Sequence, residues 1–167
     1  MPQAISRRNL LFRGTPPTRP PWHVSDSRFT TLCSRCGDCI KSCPEGILTL
    51  DRAGFPQVDF SRGECTFCKK CLEICQDGAL LAPPAGESAP PWYIKANIGS
   101  GCLAHKGVFC RACGDCCEPR SLRFKPRLGA AELPEVHLAS CSGCGACVAA
   151  CPTNAITMAT EAKAHAA

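Results

Sequence analysis

Aromatic residues are scarce: the 167-residue chain has ten, seven Phe, two Trp and one Tyr. That length makes one ordinary domain or two small ones. Small units with so thin a core need staples, either disulfides or metal. No stretch approaches the ~20 consecutive apolar residues of a membrane span, which excludes one. Also missing are a nucleotide-cradling loop, a Ser–His–Asp order and a paired-carboxylate pattern. Nothing therefore reads as an active site, and the chain is expected not to be an enzyme. Basic and aromatic residues are not interleaved and no recognition fold is in view, which argues against nucleic acid.

The N-terminus lacks something more specific. "SRRNLLFRG" (6–14) starts like a twin-arginine export signal, but Leu10, Leu11 and Phe12 run straight into Arg13, Gly14 and "TPPTRPP". A signal needs an apolar run of about 7–15 residues, and those prolines block the helix it would form. The expectation is a cytoplasmic protein, where thiols stay reduced and dense cysteines point to metal. Formal net charge is +5, and residues 1–28 supply +4 of it through Arg7, Arg8, Arg13, Arg19 and Arg28 against Asp26. Residues 1–27 are expected to form a mobile basic arm, either a solvated tail or a docking element for an acidic partner.

Cysteine is what the chain has in excess, seventeen in all. "CSRCGDCIKSCP" places Cys33, Cys36, Cys39 and Cys43; "CTFCKKCLEIC" places Cys65, Cys68, Cys71 and Cys75; "CSGCGACVAACP" places Cys141, Cys144, Cys147 and Cys151. Each is C-x2-C-x2-C-x3-C, the bacterial ferredoxin run for a 4Fe–4S cube. Three thiolates two residues apart wrap one cube. The fourth is expected to open a helix and reach the other cube of a pair. Zinc would take two separated C-x2-C pairs and leave a thiolate over, and an odd count disfavours disulfides.

A further stretch, "CLAHKGVFCRACGDCCEP" (102–119), holds five cysteines and opens with a gap of seven residues. Two alignments compete. The repeated string "CGDC" would make Cys110, Cys113 and Cys116 the triplet, but its fourth ligand then falls on Arg120. The alternative takes Cys102, Cys110 and Cys113 with Cys117 as the fourth. Flanking repeats favour the second. Five positions past each fourth cysteine stand Leu48, Leu80, Leu122 and Ile156, and "PPW" precedes both Cys33 and Cys102. The chain is thus an internal duplication, near 22–82 and 92–158, with a loop inserted in its third block. Cys116 is then the spare, with a ligand role as the other reading, and His105 in the inserted loop reads as a surface residue. His23, His137 and His165 carry no motif and are expected at the surface.

The fold class expected is α+β: two tandem bacterial dicluster ferredoxin-like domains, residues 28–82 and 93–158, with the basic arm before them. A Pro-rich spacer (83–92) joins them and a disordered tail (159–167) follows. "ILTL" (47–50) and "PQVDF" (56–60) suggest a hairpin, with "AITM" (155–158) and "PEVHL" (134–138) as counterparts. By the crossover rule, Cys33, Cys36 and Cys39 pair with Cys75; Cys65, Cys68 and Cys71 with Cys43. Likewise Cys102, Cys110 and Cys113 pair with Cys151, and Cys141, Cys144 and Cys147 with Cys117. Four such clusters, each near −2 with its thiolates, turn +5 into roughly −3.

"SRRNLLFRG", "RPPW", the ferredoxin blocks and the stretched "CLA-x5-C-x2-C-x3-CEP" together resemble the NapF family, ferredoxin-type accessory proteins of the periplasmic nitrate reductase system. The likeness runs through residues 5–158. It implies four 4Fe–4S clusters on the sixteen cysteines just paired, without Cys116. It also implies a cytoplasmic partner of the precursor catalytic subunit of that reductase, acting before export to load or reduce its 4Fe–4S cluster. The early arginine pair would be a vestige or a docking element. Gln76 departs from the pattern, standing where proline would turn the chain. A dedicated electron carrier feeding a reductase is the other reading.

Overall fold

The computed structural model describes residues 16–84 and 89–160. The signal-like stretch 6–14, His165 and most of the tail lie outside the described residues. Among the described residues, five short helices and six strands follow one another: α1 (Asp26–Leu32), α2 (Asp38–Ser42), β1 (Leu48–Leu50), β2 (Pro56–Val58), α3 (Lys70–Glu73), β3 (Ile94–Ile98), α4 (Ala112–Asp115), β4 (Leu122–Arg127), β5 (Ala130–Val136), α5 (Ala146–Ala150) and β6 (Ile156–Thr160). The elements are mixed and small, and they form two ferredoxin-type halves.

Each half contains an antiparallel hairpin between its two cysteine blocks. In the first, Leu48 faces Val58; in the second, Leu122 faces Val136, so the two hairpins begin on equivalent pairs. The four apolar positions that follow the fourth cysteines are all buried, Leu48, Leu80, Leu122 and Ile156 alike. They anchor the backbone at the point where each block gives way to extended chain.

The hairpin expected of "AITM" with "PEVHL" does not form. "PEVHL" pairs with β4, and "AITM" lies in β6, which pairs along five residues with β3. A hairpin needs strands joined by a short turn, and a whole cysteine block separates these two. The first-half equivalent of β3–β6 is smaller: His23 and Leu80 form one isolated bridge, flanked by Val24 N–H to Ala79 O and Leu81 N–H to Trp22 O.

Of the arm, residues 18–24 pack against the first half. The Arg19 side chain is buried, paired with Asp51 at 2.8 Å and donating to Pro56 O at 3.1 Å, while its guanidinium stacks on Phe29 and Phe55. The Thr18 carbonyl accepts from Val58 N–H, extending the first hairpin by one more chain. A basic, proline-rich composition suggests solvation, but one arginine that finds a buried carboxylate and two rings overrides it. His23 is likewise half-buried, its ring against Phe29 and hydrogen-bonded to Pro20 O.

The spacer does not hold the halves apart. Pro91 O accepts from Trp22 N–H, which brings the two "PPW" strings together. Trp92 is buried in a core that contains Phe29, Ile47 and Phe60 from the first half and is flanked by Ile94, Val148 and Met158 from the second. Phe60 and Phe67 each meet the Trp92 ring edge-on, at 5.7 and 5.9 Å between centroids. Of the tail, Ala159 and Thr160 belong to β6, opposite Lys95 and Ile94. No helix among the described residues is long and apolar enough to cross a membrane.

Candidate metal centres

The cysteine loops share an unusual backbone. Between the first and second cysteines stand Arg35, Phe67 and Gly143, and between the second and third stand Gly37, Lys69 and Gly145, all with positive φ. Right- and left-handed residues in alternation turn successive N–H groups toward one concavity, a nest that suits anions and iron–sulfur groups. Three of these six residues are not glycine, and Arg35, Phe67 and Lys69 hold φ near 60° at some cost in strain. Such strain persists only where the surroundings over-determine it.

The helix after each loop carries the third cysteine inside it: Cys39 in α2, Cys71 in α3, Cys113 in α4 and Cys147 in α5. The fourth cysteine closes the helix and does not open it. Cys43 and Cys151 are the C-terminal caps of α2 and α5, both in extended conformation. In these two, the turn from helical to extended backbone swings the fourth thiol away from its own loop and toward the other block.

Cavities mark where those thiols go. One is lined by Cys43, Cys65, Cys68 and Cys71, a second by Cys117, Cys141, Cys144 and Cys147, a third by Cys102, Cys110, Cys113 and Cys151. The three are alike in size. In the remaining group, the thiols of Cys33, Cys36, Cys39 and Cys75 are near enough to act on one another by charge. No group of three or more His, Cys, Asp or Glu among the described residues is arranged to hold a single metal ion. The thiols surround spaces instead of converging on a point, which suits a cube and not one zinc with sulfur at about 2.3 Å.

Burial and neighbouring thiols set the acidity of several of these groups. Burial first, then neighbouring thiolates, push Cys71 and Cys147 up to about 12. The same causes raise Cys39 and Cys113 to about 11; Cys65 also reaches about 11, although the Phe67 amide opposes the rise. Cys151 goes the other way: burial would raise it, but the amides of Thr153, Ala155 and Ile156 and the Thr153 hydroxyl outweigh that and lower it. On binding iron, thiols gathered this way would release their protons to solvent, since the ligand is the thiolate.

The third block keeps its fourth position despite the insertion. Ser121 N–H donates to Cys117 Sγ at 3.2 Å, and Ala155 N–H donates to Cys151 Sγ at the same distance. In both, the amide is four residues past the cysteine, so Cys117 occupies the place of Cys151. Cys116 instead donates to Cys113 O at 3.4 Å and packs with the apolar residues around Leu122. The inserted residues fold into a turn, with Lys106 N–H on Cys102 O and Val108 N–H on Leu103 O. Ala104 is buried beneath it, while His105, Val108 and Phe109 face solvent. Where the other blocks have a left-handed residue after the second cysteine, this one has Arg111 at φ −128°.

The sets lie in the spatial order first, second, fourth, third. Cys39 of the first acts by charge on Cys71 of the second, and Cys113 of the third acts on Cys147 of the fourth. The junction between halves is direct: Cys65 N–H donates to Cys144 O at 2.8 Å, and Cys144 also acts on the Cys65 thiol. Sequence reasoning missed the seam residues Phe60, Phe67, Trp92 and Gly145, for which only the repeated "PPW" was a signal. It also missed Ser121, whose hydroxyl is buried beside the fourth set with no hydrogen-bond partner.

Comparison with known proteins agrees with this chemistry. A family described as "4Fe-4S dicluster domain" matches residues 32–79, and one described as "4Fe-4S binding domain" matches residues 134–157. The ferredoxin-type protein NapF of Escherichia coli (strain K12) is 39% identical over 156 residues, which cover 91% of the chain and 93% of that protein. NapF of Haemophilus influenzae (strain ATCC 51907 / DSM 11121 / KW20 / Rd) is 45% identical over 140 residues, 84% of the chain and 77% of the relative. The ferredoxin-type protein NapG of the same strain is 30% identical over 166 residues, 88% and 59% respectively. The all-thiolate donor sets, the nests and the cavities fit 4Fe–4S clusters as the cofactor.

Proposed function

The chain belongs to the NapF family of ferredoxin-type proteins, and from that premise we propose that it is a maturation factor. In this reading it works in the cytoplasm on the precursor catalytic subunit of the periplasmic nitrate reductase, loading or reducing the 4Fe–4S cluster of that subunit before export. Sixteen cysteines hold four clusters in the sets first–second–third plus crossed-over fourth: Cys33, Cys36, Cys39 with Cys75; Cys65, Cys68, Cys71 with Cys43; Cys102, Cys110, Cys113 with Cys151; Cys141, Cys144, Cys147 with Cys117. Cys116 is left out.

The observation that carries the reading is the third block. Its inserted turn leaves Cys102, Cys110 and Cys113 facing the same kind of cavity as the regular blocks, in a chain that aligns with a NapF protein over 93% of that protein's length. With four thiols at each site no coordination position is left for a substrate, so the chemistry available is exchange of electrons or of a cluster. The cluster supplies one-electron storage. The protein's own part would be to anchor it through thiolates, while Trp22, Phe67 and Leu122, which line the thiol-bordered cavities, would keep water from it.

Anaerobic protein, counted for iron and sulfide before and after mixing with the cluster-free catalytic subunit, tests the reading. Iron and sulfide gained by the cluster-free subunit, or reduction of the cluster in a parallel mixture with the loaded subunit, is the expected result. A pull-down that captures the precursor no better than the exported form counts against it. Rapid turnover with a one-electron donor and no preference for the precursor would favour a dedicated electron carrier instead.

A further inference from the structure

The residue four positions past each fourth cysteine is Ile47, Ala79, Ser121 or Ala155, and all four are buried. Each stands just before the apolar anchor that ends its block, so the four are one structural position repeated. Three are apolar. Ser121 alone carries a hydroxyl there, 1% exposed, and among the described residues it is the one buried side-chain oxygen or nitrogen without a hydrogen-bond partner. A buried hydroxyl left unsatisfied is destabilising, and apolar alternatives serve at the other three places.

Its surroundings say what it faces. Ser121 lines the cavity of Cys117, Cys141, Cys144 and Cys147. Its amide already donates to Cys117 Sγ and its carbonyl accepts from His137 N–H, so the backbone is fully engaged and fixes the side chain over the cavity. Among the described residues no acceptor, sulfur included, is hydrogen-bonded by the hydroxyl.

We propose that the Ser121 hydroxyl donates a hydrogen bond to a sulfur of the cluster held by these four cysteines and raises the reduction potential of that cluster above what an alanine there would give. The inference rests on the cluster reading above. A donor hydrogen bond is stronger to the more negative, reduced cluster than to the oxidised one, so it favours taking up the electron. Ser121 is a positioning and tuning residue: it neither ligates nor exchanges electrons. Its site is also the one in contact with the first half through Cys65, so the cluster it tunes is the one at which the two halves meet.

The test is Ser121→Ala in the full-length holoprotein, with Ser121→Thr beside it. Alanine is already accommodated at two of the equivalent positions, so the fold is not at risk. Iron and sulfide counts come first and establish separately whether clusters are present at all. A potentiometric titration followed by EPR should then show one of the four potentials moved negative in Ser121→Ala, the others unmoved, and the shift abolished in Ser121→Thr. The signal that moves should be the one that Cys141→Ser perturbs. Exchangeable-proton hyperfine coupling at that signal should weaken in the alanine variant. Four unchanged potentials with full iron content would overturn the proposal, as would a shift in a different cluster. Loss of one cluster's iron on alanine substitution would also overturn it, in favour of a packing role.

Discussion

The two halves follow one plan but close it differently. In the second half, β3 and β6 pair over five residues and the β4–β5 hairpin is long. In the first, the hairpin is three residues a side and the outer pairing shrinks to the single bridge of His23 with Leu80. What the first half lacks in ladder it makes up with a side-chain clip, Arg19 on Asp51, that ties the preceding segment across the hairpin. A backbone ladder distributes its stabilisation over many bonds, whereas a buried ion pair concentrates it in one. The first half is therefore the half that one substitution can open.

Removing the iron should erase the difference altogether. Chelation under reducing conditions is expected to unfold both halves together, because the buried thiols and strained loops have nothing else to organise them. Circular dichroism and proteolysis of the iron-free protein check this, and a second half that kept its strands without iron would break the comparison in favour of the ladder.

Next in size is the clip. Asp51→Asn or Arg19→Met should cost toward the low end of the roughly 3–5 kcal/mol lost when one partner of a buried pair is removed. Hydrogen exchange should rise in residues 16–24 and in β1–β2 and stay unchanged in β3–β6. Equal loosening in both halves would show that the clip is not what separates them.

Gly145→Ala attacks the seam. A Cβ there would fall inside the Phe60 ring, and Gly145 has φ +86°. Overpacking of this kind costs about 1–3 kcal/mol, and strained backbone adds to it. The Cys65 amide, whose acceptor is Cys144 O in the other half, should lose protection from exchange, and Phe60→Ala in the same chain should restore part of it.

Acid separates the halves more gently. Burial works to raise the Asp51 pKa, but the Phe55 amide, the Arg19 side chain and the Ala53 amide outweigh it and hold it below 3.8. A depressed carboxylate contributes stability that is present above its ordinary pKa and is lost as pH falls through the folded value. Exchange at residues 16–24 should thus begin to rise below about pH 4, and Asp51→Asn should remove that dependence. The smallest effect is expected at Cys116→Ala, which should keep its full iron content and lose about 1 kcal/mol or less, as a small half-buried filler does. Iron loss there would reverse the roles given to Cys116 and Cys117.

Much of the site was legible because its information is local. Spacing within a block limits which thiols share a loop, and the apolar residue five places on marks the return to extended chain. The strand opposite "PEVHL" is β4 and not "AITM", and the partner of "AITM" was not visible either. Ile94–Ile98 carries no cysteine landmark, and strand pairing across sixty residues leaves no periodic trace. The conformation of Arg35, Phe67 and Lys69 was hidden for another reason: left-handed backbone usually announces itself as glycine or asparagine, and these positions are neither.

By itself the sequence determined the cofactor class, the four cysteine groups and the duplication, since ligand spacing acts through a few covalent bonds and a short loop has few ways to close. Only the tertiary structure decided that Arg19 is buried, that Cys65 meets Cys144 across a seam, and that Ser121 faces a cluster site with its hydroxyl free. Those depend on which distant surfaces fit, and shape complementarity between residues far apart in the chain is settled by packing, not by order.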